Sequence, residues 1–289
     1  MRRAFRWVPA ILCLAITACK PSNASSAAAA NVIVDRGSDT LVNLALAWAE
    51  AYAKVNPSAS VSVSGGGSGV GLAALIEKTT DIANASRAIK PEEVQSAKAN
   101  GVNPVEFTVA RDAIGVIVNP SNPISQLTLQ QVSDIFSGKI NSWKELGGEN
   151  RPIVRVSREV TSGTHVYFLE SVIQLGDPNN KTIFAADTLL LPSSEGIMSE
   201  VGQNPNAIGY DGLGYITPDV RKIRLAKEAS GPFIEPTVDT ALDGTYPISR
   251  DLYMYTNGEP TGNIREYLDW ILGPEGQKIV SKLGFVPIA

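Results

Sequence analysis

The chain has 289 residues, with 25 Lys and Arg against 29 Asp and Glu, and a formal charge of −4. That acidic balance excludes nucleic acid as a partner held by general charge attraction, which needs a basic surface. The single His has no second His, neighbouring Cys or Ser–Asp frame, so it supplies neither a metal site nor a catalytic triad.

In chain order, Arg2, Arg3 and Arg6 precede an apolar run from Val8 to Ala18 that is too short to span a bilayer. Residues 1–18 therefore read as an export signal peptide. It ends in Ile16-Thr17-Ala18-Cys19, which resembles the bacterial lipobox, where cleavage leaves Cys19 at the new N-terminus for lipidation. An ordinary signal with Cys19 incidental is the alternative. Cys13 leaves with the signal, so no internal disulfide is expected in the mature chain. Residues 19–30, rich in Ser and Ala, read as a lipidated flexible tether. The first 18 residues hold three Arg and no acid, leaving 22 basic against 29 acidic residues and a charge of −7. The remaining length, about 260 residues, buries a large core and favours two lobes.

A strand is expected at 32–35 and a helix at 40–54, joined by Gly37-Ser38-Asp39-Thr40. A second pair, strand 60–64 and helix 70–78, is joined by Gly65-Gly66-Gly67-Ser68-Gly69. Asp81 to Ser86 reads as a short strand, and Pro91 opens another helix. Such alternation predicts an α/β sheet with ligands at the carboxyl ends of its strands. Phe107 to Asn119 is longer than one strand of a small sheet requires, so it is expected to pass between lobes. Residues 127–146 read as a helix stopped at Gly138, followed by a short turn. After the strand leading into Arg158, a helix is expected over 164–174. Residues 178–205 read as loop-rich with no convincing catalytic pattern, and 207–210 and 214–216 as short strands. Tyr246 to Tyr255 is a second extended run that returns to the first lobe. Helices at 261–272 and 274–283 close the chain, and no fixed-period repeat is present.

The most informative stretch is V-R-V-S-R-E-V-T-S-G-T, Val154 to Thr164. A helix starting near Thr161 or Ser162 would aim unpaired N–H groups, hydroxyls and the positive end of its dipole at one point. Arg158 adds a two-pronged guanidinium there, a combination suited to a tetrahedral oxyanion. Three strand–(Gly/Ser/Thr)–helix junctions could share one ligand. The blander reading is that each Ser or Thr only caps its helix. Neither Gly run has Walker spacing, which disfavours a nucleotide P-loop.

At these residues the chain resembles the phosphate-binding proteins of the high-affinity phosphate ABC importer, the PstS-like family. The matching pieces are Gly37-Ser38-Asp39-Thr40, Gly66-Gly67-Ser68-Gly69, Ala85-Ser86-Arg87, Arg111 to Val116, Ile135 to Ile140 with Trp143, Arg158 with Ser162-Gly163-Thr164, Ala207 to Tyr210, and Tyr246 to Arg250. Their order holds from about 32 to 287. The resemblance implies a two-lobed type II periplasmic binding protein fold of the α/β class. Each lobe would be a mixed sheet flanked by helices, and two crossover strands would join them. Lobe I is expected at 31–115 and 252–289, and lobe II at 116–251. Inorganic phosphate would sit in the interlobe cleft and pass to ABC permease subunits. No cofactor, no metal and no catalysis are implied. The protein would be a monomer, exported and facing the periplasm or cell exterior, attached to the membrane only by its lipid.

Carried over position by position, Ser38 and Thr40, flanking Asp39, would offer hydroxyl and amide donors. Ser68 with Gly69 would do so from the second helix, and Ser162, Gly163 and Thr164 from the third, with Arg158 as cleft cation. The chain departs from some members at Ser86, which is followed by Arg87 where they carry Asp. The acceptor of the phosphate proton is then expected to be Asp112, with Asp39 as the alternative, kept ionised by Arg87 or Arg158. A carboxylate there discriminates physically. Sulfate offers only acceptors, and an unpaired desolvated polar group costs about 1–3 kcal/mol.

Other readings of these residues stand beside that one. Asp112 could be a solvated partner of Arg111, and Arg87 could pair with Glu92 or Glu93. His165 is read as a non-catalytic neighbour, and Trp48, Trp143, Tyr253 and Trp270 as packing. A phosphate-responsive signalling protein without transport is the main functional alternative. A phosphoester hydrolase using Ser162 or Thr164 lacks a partnered base and a metal-ligand cluster.

Overall fold

The structure, a computed structural model, describes residues 32–288, so the signal, Cys19 and the tether lie outside the described residues. The first part of the chain alternates as expected. β1 (Val32–Gly37), α1 (Asp39–Val55), β2 (Ser60–Ser64), α2 (Ser68–Ile76), β3 (Ile82–Ala85) and α3 (Pro91–Ala99) follow in order. α1 buries Leu41, Leu44, Ala45, Trp48 and Tyr52, a stripe at helical spacing that fixes it against the sheet. β4 (Pro104–Val118) is the long run, 15 residues without a break.

The segment 127–146, expected as a helix, a stop at Gly138 and a short turn, has that helix and turn, preceded by a short strand. It opens as strand β5 (Gln126–Thr128), becomes α4 (Leu129–Phe136), and ends in a 3-10 turn at Trp143–Leu146. Thr128 starts the helix by a reciprocal cap: its hydroxyl accepts the Gln131 N–H (3.1 Å), and the Gln131 side chain accepts the Thr128 N–H (2.9 Å). β6 (Val154–Arg158) leads to α5 (Gly163–Phe168), which widens into a π-helical stretch at Leu169–Ile173 where one regular helix was expected. The wider winding still leaves Phe168, Val172 and Ile173 buried in the core.

Within the loop-rich stretch 178–205 two elements form. β7 (Leu189–Leu191) and α6 (Ser194–Gln203) lie there, the helix capped by the Ser193 hydroxyl and buried through Ile197, Met198 and Val201. Its first turn, Ser-Glu-Gly, hides those apolar positions from a periodicity reading. β8 (Ala207–Gly212) follows. Residues 213–215 form a 3-10 turn, not the predicted strand, because Gly212 ends the pairing. The chain continues through β9 (Arg221–Lys222), β10 (Arg224–Ala226), α7 (Val238–Leu242) and β11 (Ser249–Asn257), and closes with α8 (Gly262–Leu272) and α9 (Pro274–Lys282).

The main sheet runs β2-β1-β3-β11-β4-β8-β6-β7, with β9 also on β4. On the first side β1 is parallel to β2 and β3; on the second, β6 is parallel to β8 and β7. β4 and β11 are the antiparallel pair between them. The first part of β4 pairs with β11, and Ile114 to Val118 pairs with β8. These are the two crossover strands. One core gathers Trp48, Val109, Leu252 and Phe285 on the first side; another gathers Ile114, Phe136, Phe168 and Tyr210 on the second. The result is the two-lobed α/β architecture, with the starts of α1, α2 and α5 brought to the seam between the halves.

Candidate anion site

Each of the three helices begins just beyond the carboxyl end of a strand. Gly37 ends β1 before α1, Ser64 ends β2 before α2, and Arg158 ends β6 before α5. The seam is closed by direct contacts between the halves. The Gly69 N–H donates to the Thr161 carbonyl (3.1 Å), and the Thr40 and Thr164 hydroxyls lie 2.9 Å apart. Thr40, Ser68, Ser86, Thr164 and Ser38 are all buried.

Two clusters of donors adjoin through consecutive residues. In the first, Ser68 and Ser86 hydroxyls are 3.2 Å apart, and the Ser86 N–H donates to the Ser68 hydroxyl (3.0 Å). Gly163 lies directly against them: a Cβ there would come within 2.3 Å of Ser68 Oγ and 2.5 Å of Ser86 Oγ. Only glycine lets the α5 backbone approach these hydroxyls. In the second cluster, Arg250 Nη2 donates to Thr164 Oγ1 (2.9 Å), Asp112 Oδ2 (3.0 Å) and Thr40 Oγ1 (3.3 Å). Arg250 is 6% exposed, and its Nη1 and Nε have no partner. Its guanidinium lies 5.5 Å from the Tyr167 ring centroid. It also lines an open pocket of about 590 Å³ together with Arg87, Tyr167 and Tyr253.

Some predicted donors are already committed. The Ser38 N–H donates to the Asn84 carbonyl (2.9 Å), leaving the Ser38 hydroxyl, which makes no capping bond. The Ser162 hydroxyl accepts the Thr164 N–H (3.1 Å) and so caps α5.

Arg158 lies on the other flank of the seam. Its Nη2 donates to Asp39 Oδ2 (2.7 Å) and the Pro192 carbonyl (2.9 Å), and its Nη1 to Ser194 Oγ (3.0 Å), while Nε has no partner. Asp39 is held from both sides, since its Oδ1 also accepts the Gly66 N–H (2.9 Å). This ion pair ties α1 to β6.

Asp112 is fully buried, and its cation is Arg250. The sequence reading assigned that part to Arg87 or Arg158, and the structure corrects it. Arg87 instead makes a two-pronged bond to Glu93 (2.7 and 2.8 Å). Burial works against ionisation of Glu93, but Arg87 and the Lys90 N–H outweigh it and hold its carboxyl low. Burial raises Asp112 to about 6 against the pull of Arg250 and a bond from the Leu213 N–H. Burial lowers His165, whose Nδ1 faces the Arg158 carbonyl (2.9 Å) and Ser157 Oγ (3.1 Å), not Ser162 or Thr164.

Arg250 and Asp211 were missed as site residues. The signal for Arg250 was a cation inside the apolar run Y-P-I-S-R-D-L-Y-M-Y, on a strand that the topology lays beside Asp112 (Arg250 opposite Asp112 in register). Asp211 sits at the end of A-I-G-Y-D-G, wholly buried. Among the described residues, no three His, Cys, Asp or Glu converge as a metal cluster.

Comparison with known proteins places this geometry. Residues 22–275 match the model of a PBP superfamily domain. The chain is 34% identical over 269 residues to the phosphate-binding protein PstS of Pseudomonas aeruginosa, covering 87% of this chain and 81% of that protein. It is 32% identical over 274 residues to the PstS of Bacillus subtilis, covering 93% and 86%. Among solved structures it is similar to a phosphate ABC transporter substrate-binding protein from Clostridium perfringens with bound phosphate (TM-score 0.79, 32% identity, 90% of this chain and 100% of that one). It is also similar to an ABC-type phosphate transport receptor from Vibrio cholerae (TM-score 0.70, 28% identity, 88% and 99%). With strand-end hydroxyls, buried arginines and two crossover strands in this arrangement, the chain belongs to the PstS-like phosphate-binding proteins of the PBP superfamily.

Proposed function

We propose that this protein captures inorganic phosphate at the seam between its halves and delivers it to an ABC importer. The observation that carries the reading is convergence. Hydroxyls from α1, α2, the end of β3 and α5 meet at the seam, Thr40 and Thr164 on Arg250 itself, so one tetrahedral anion could satisfy donors from both halves at once. Ser38, Thr40, Ser68, Gly69, Ser86, Ser162, Gly163 and Thr164 form the donor shell in this reading, with Arg158 and Arg250 as cations. Asp112 accepts the proton of the bound phosphate. Asp39 is less suited, because both its oxygens already serve Gly66 and Arg158. Arg87, committed to Glu93, borders the approach without touching the ligand.

The PstS-like family is a transport receptor, not an enzyme. Titrating inorganic phosphate into the protein by calorimetry should give one site per chain, with no turnover of phosphate monoesters. Absence of binding at micromolar protein contradicts the proposal; hydrolysis would revive the esterase reading.

The lobes we assign are 31–115 with 252–289, and 116–251. Among the described residues no helix is long and apolar enough to cross a membrane. Attachment is proposed to run through a lipid on Cys19 after removal of residues 1–18, with the domain acting as a monomer in the periplasm or at the cell exterior. Cys19→Ser should then release the protein in soluble form. Equal membrane association of mutant and wild type would require another anchor.

A further inference from the structure

Arg250 reaches two places at once. Its Nη2 bonds the Thr40 and Thr164 hydroxyls at 3.3 and 2.9 Å, while the same side chain lines the open pocket of about 590 Å³ on that flank of the seam. Arg250 is nevertheless only 6% exposed, and the side chain over its guanidinium is Tyr167, whose ring centroid lies 5.5 Å from Cζ. Thr164 and Tyr167 are three residues apart on α5 and share a face. One turn of the helix therefore places a hydroxyl on Arg250 Nη2, and the next lays a ring over the same cation. The ring is also pinned at its far end. The Tyr167 hydroxyl donates to the carbonyl of Ser249 (2.7 Å), the residue before Arg250 on β11.

Building on the proposed phosphate site, we propose that Tyr167 is its shape filter. The ring walls the anion site off from the adjoining pocket, and so rejects tetrahedral anions in which an organic group replaces one oxygen. Asp112 cannot do this alone. An alkylphosphonate at neutral pH keeps one P–O–H, which satisfies a carboxylate acceptor as monohydrogen phosphate does. What sets it apart is a carbon chain that needs space. The pocket has that space. Its rim carries both signs, Arg87 and Lys90 against Glu92, Glu170 and Asp251, so it suits an uncharged substituent better than a second anion. The way to it from the Thr40–Thr164 pair leads past Arg250, and Tyr167 stands there. Turning the ring aside would give up the Ser249 bond and the contact with a buried cation together, so the wall yields little to a ligand that pushes on it.

The test is titration calorimetry of inorganic phosphate and of propylphosphonate on the full mature chain at neutral pH. Wild type should prefer phosphate by about a hundredfold or more. Tyr167→Ala removes the wall and should narrow that preference by at least about tenfold, chiefly through tighter phosphonate binding. Tyr167→Phe keeps the ring and should stay within about threefold of the wild-type preference. The ratio is the readout, because a merely structural loss weakens both ligands alike. An unchanged ratio in Tyr167→Ala overturns the proposal, and so does a wild type that binds propylphosphonate as tightly as phosphate. Should Tyr167→Ala fail to fold, Tyr167→Leu, which shortens the side chain but keeps it apolar, is read by the same ratio. Failure of wild type to bind phosphate at all would instead refute the site on which the wall depends.

Discussion

Two buried arginines flank the seam, and they are used differently. Arg158 spends its terminal nitrogens on Asp39, Ser194 and the Pro192 carbonyl, binding together elements from both halves and keeping only Nε unpartnered. Arg250 crowds its three bonds onto Nη2 and leaves Nη1 and Nε unpartnered, against a carboxylate that is itself deeply buried. The first resembles a latch between the halves; the second resembles a charge reserve. The contrast teaches that a buried cation's role is read from its uncommitted donors as much as from its place in a motif.

Breaking the latch should have the largest effect on binding. Arg158→Ala removes the tie between halves and strands Asp39 and Asp211 without their cation, so phosphate binding should weaken by about 2–5 kcal/mol. Arg158→Lys should recover only part, since a point charge cannot reproduce the fork. Titration calorimetry checks both, and an Ala variant within about threefold of wild type would put Arg158 outside the site.

Removing the reserve should come next. Arg250→Gln is expected to weaken phosphate by about 2–3 kcal/mol and to destabilise the fold, because Asp112 is left buried and unpaired. Adding Asp112→Asn should restore thermal stability while leaving binding weak. If the double variant regains affinity as well, Arg250 serves only to neutralise Asp112.

A subtler change sharpens the comparison further. Asp112→Asn should cost phosphate only about 1–2 kcal/mol while letting sulfate compete better, since an amide can turn either end towards the ligand. Sulfate competing no better than against wild type would move the proton-accepting role elsewhere.

Asp35 provides the control with the smallest expected effect on binding. It is fully buried on β1 with no arginine partner; Asn84 stands close but outside hydrogen-bonding geometry. Burial lifts its carboxyl to about 7, so the folded state holds a proton that the unfolded chain releases nearer 4. Stability from this group is therefore full in acid and is lost as pH rises through about 4 to 7. Asp35→Asn should flatten that part of the stability–pH curve with phosphate affinity unchanged. A curve that keeps its slope would mean Asp35 is ionised in the fold.

Much of this was legible in the sequence because it is local. The three strand–turn–helix junctions, the uninterrupted β4 run and Arg158 ahead of Ser162-Gly163-Thr164 depend on neighbours within a few residues. What escaped is set by long-range register. Arg250 meets Asp112 only because β11 lies antiparallel on β4, and Asp211 joins them only because β8 pairs with the other end of that strand. α6 escaped for a milder reason, its apolar face starting behind a Ser-Glu-Gly turn. Arg87 shows the converse, a residue whose two sequence readings, ligand contact or a pair with Glu92 or Glu93, only the structure separates. Its position in the motif pointed at the ligand, while a better geometric partner, Glu93, stood six residues away.

The central claim is that one phosphate sits among donors from both halves, between the two arginines. A crystal structure of the phosphate complex tests it most directly. The account predicts phosphate oxygens within about 3 Å of the Thr40, Ser68 and Thr164 hydroxyls and of a nitrogen of Arg158 or Arg250 that has no partner here. Phosphate bound elsewhere on the molecule, with Arg158 still fully engaged by Asp39 and Ser194 and both Arg250 nitrogens still unpaired, would contradict it.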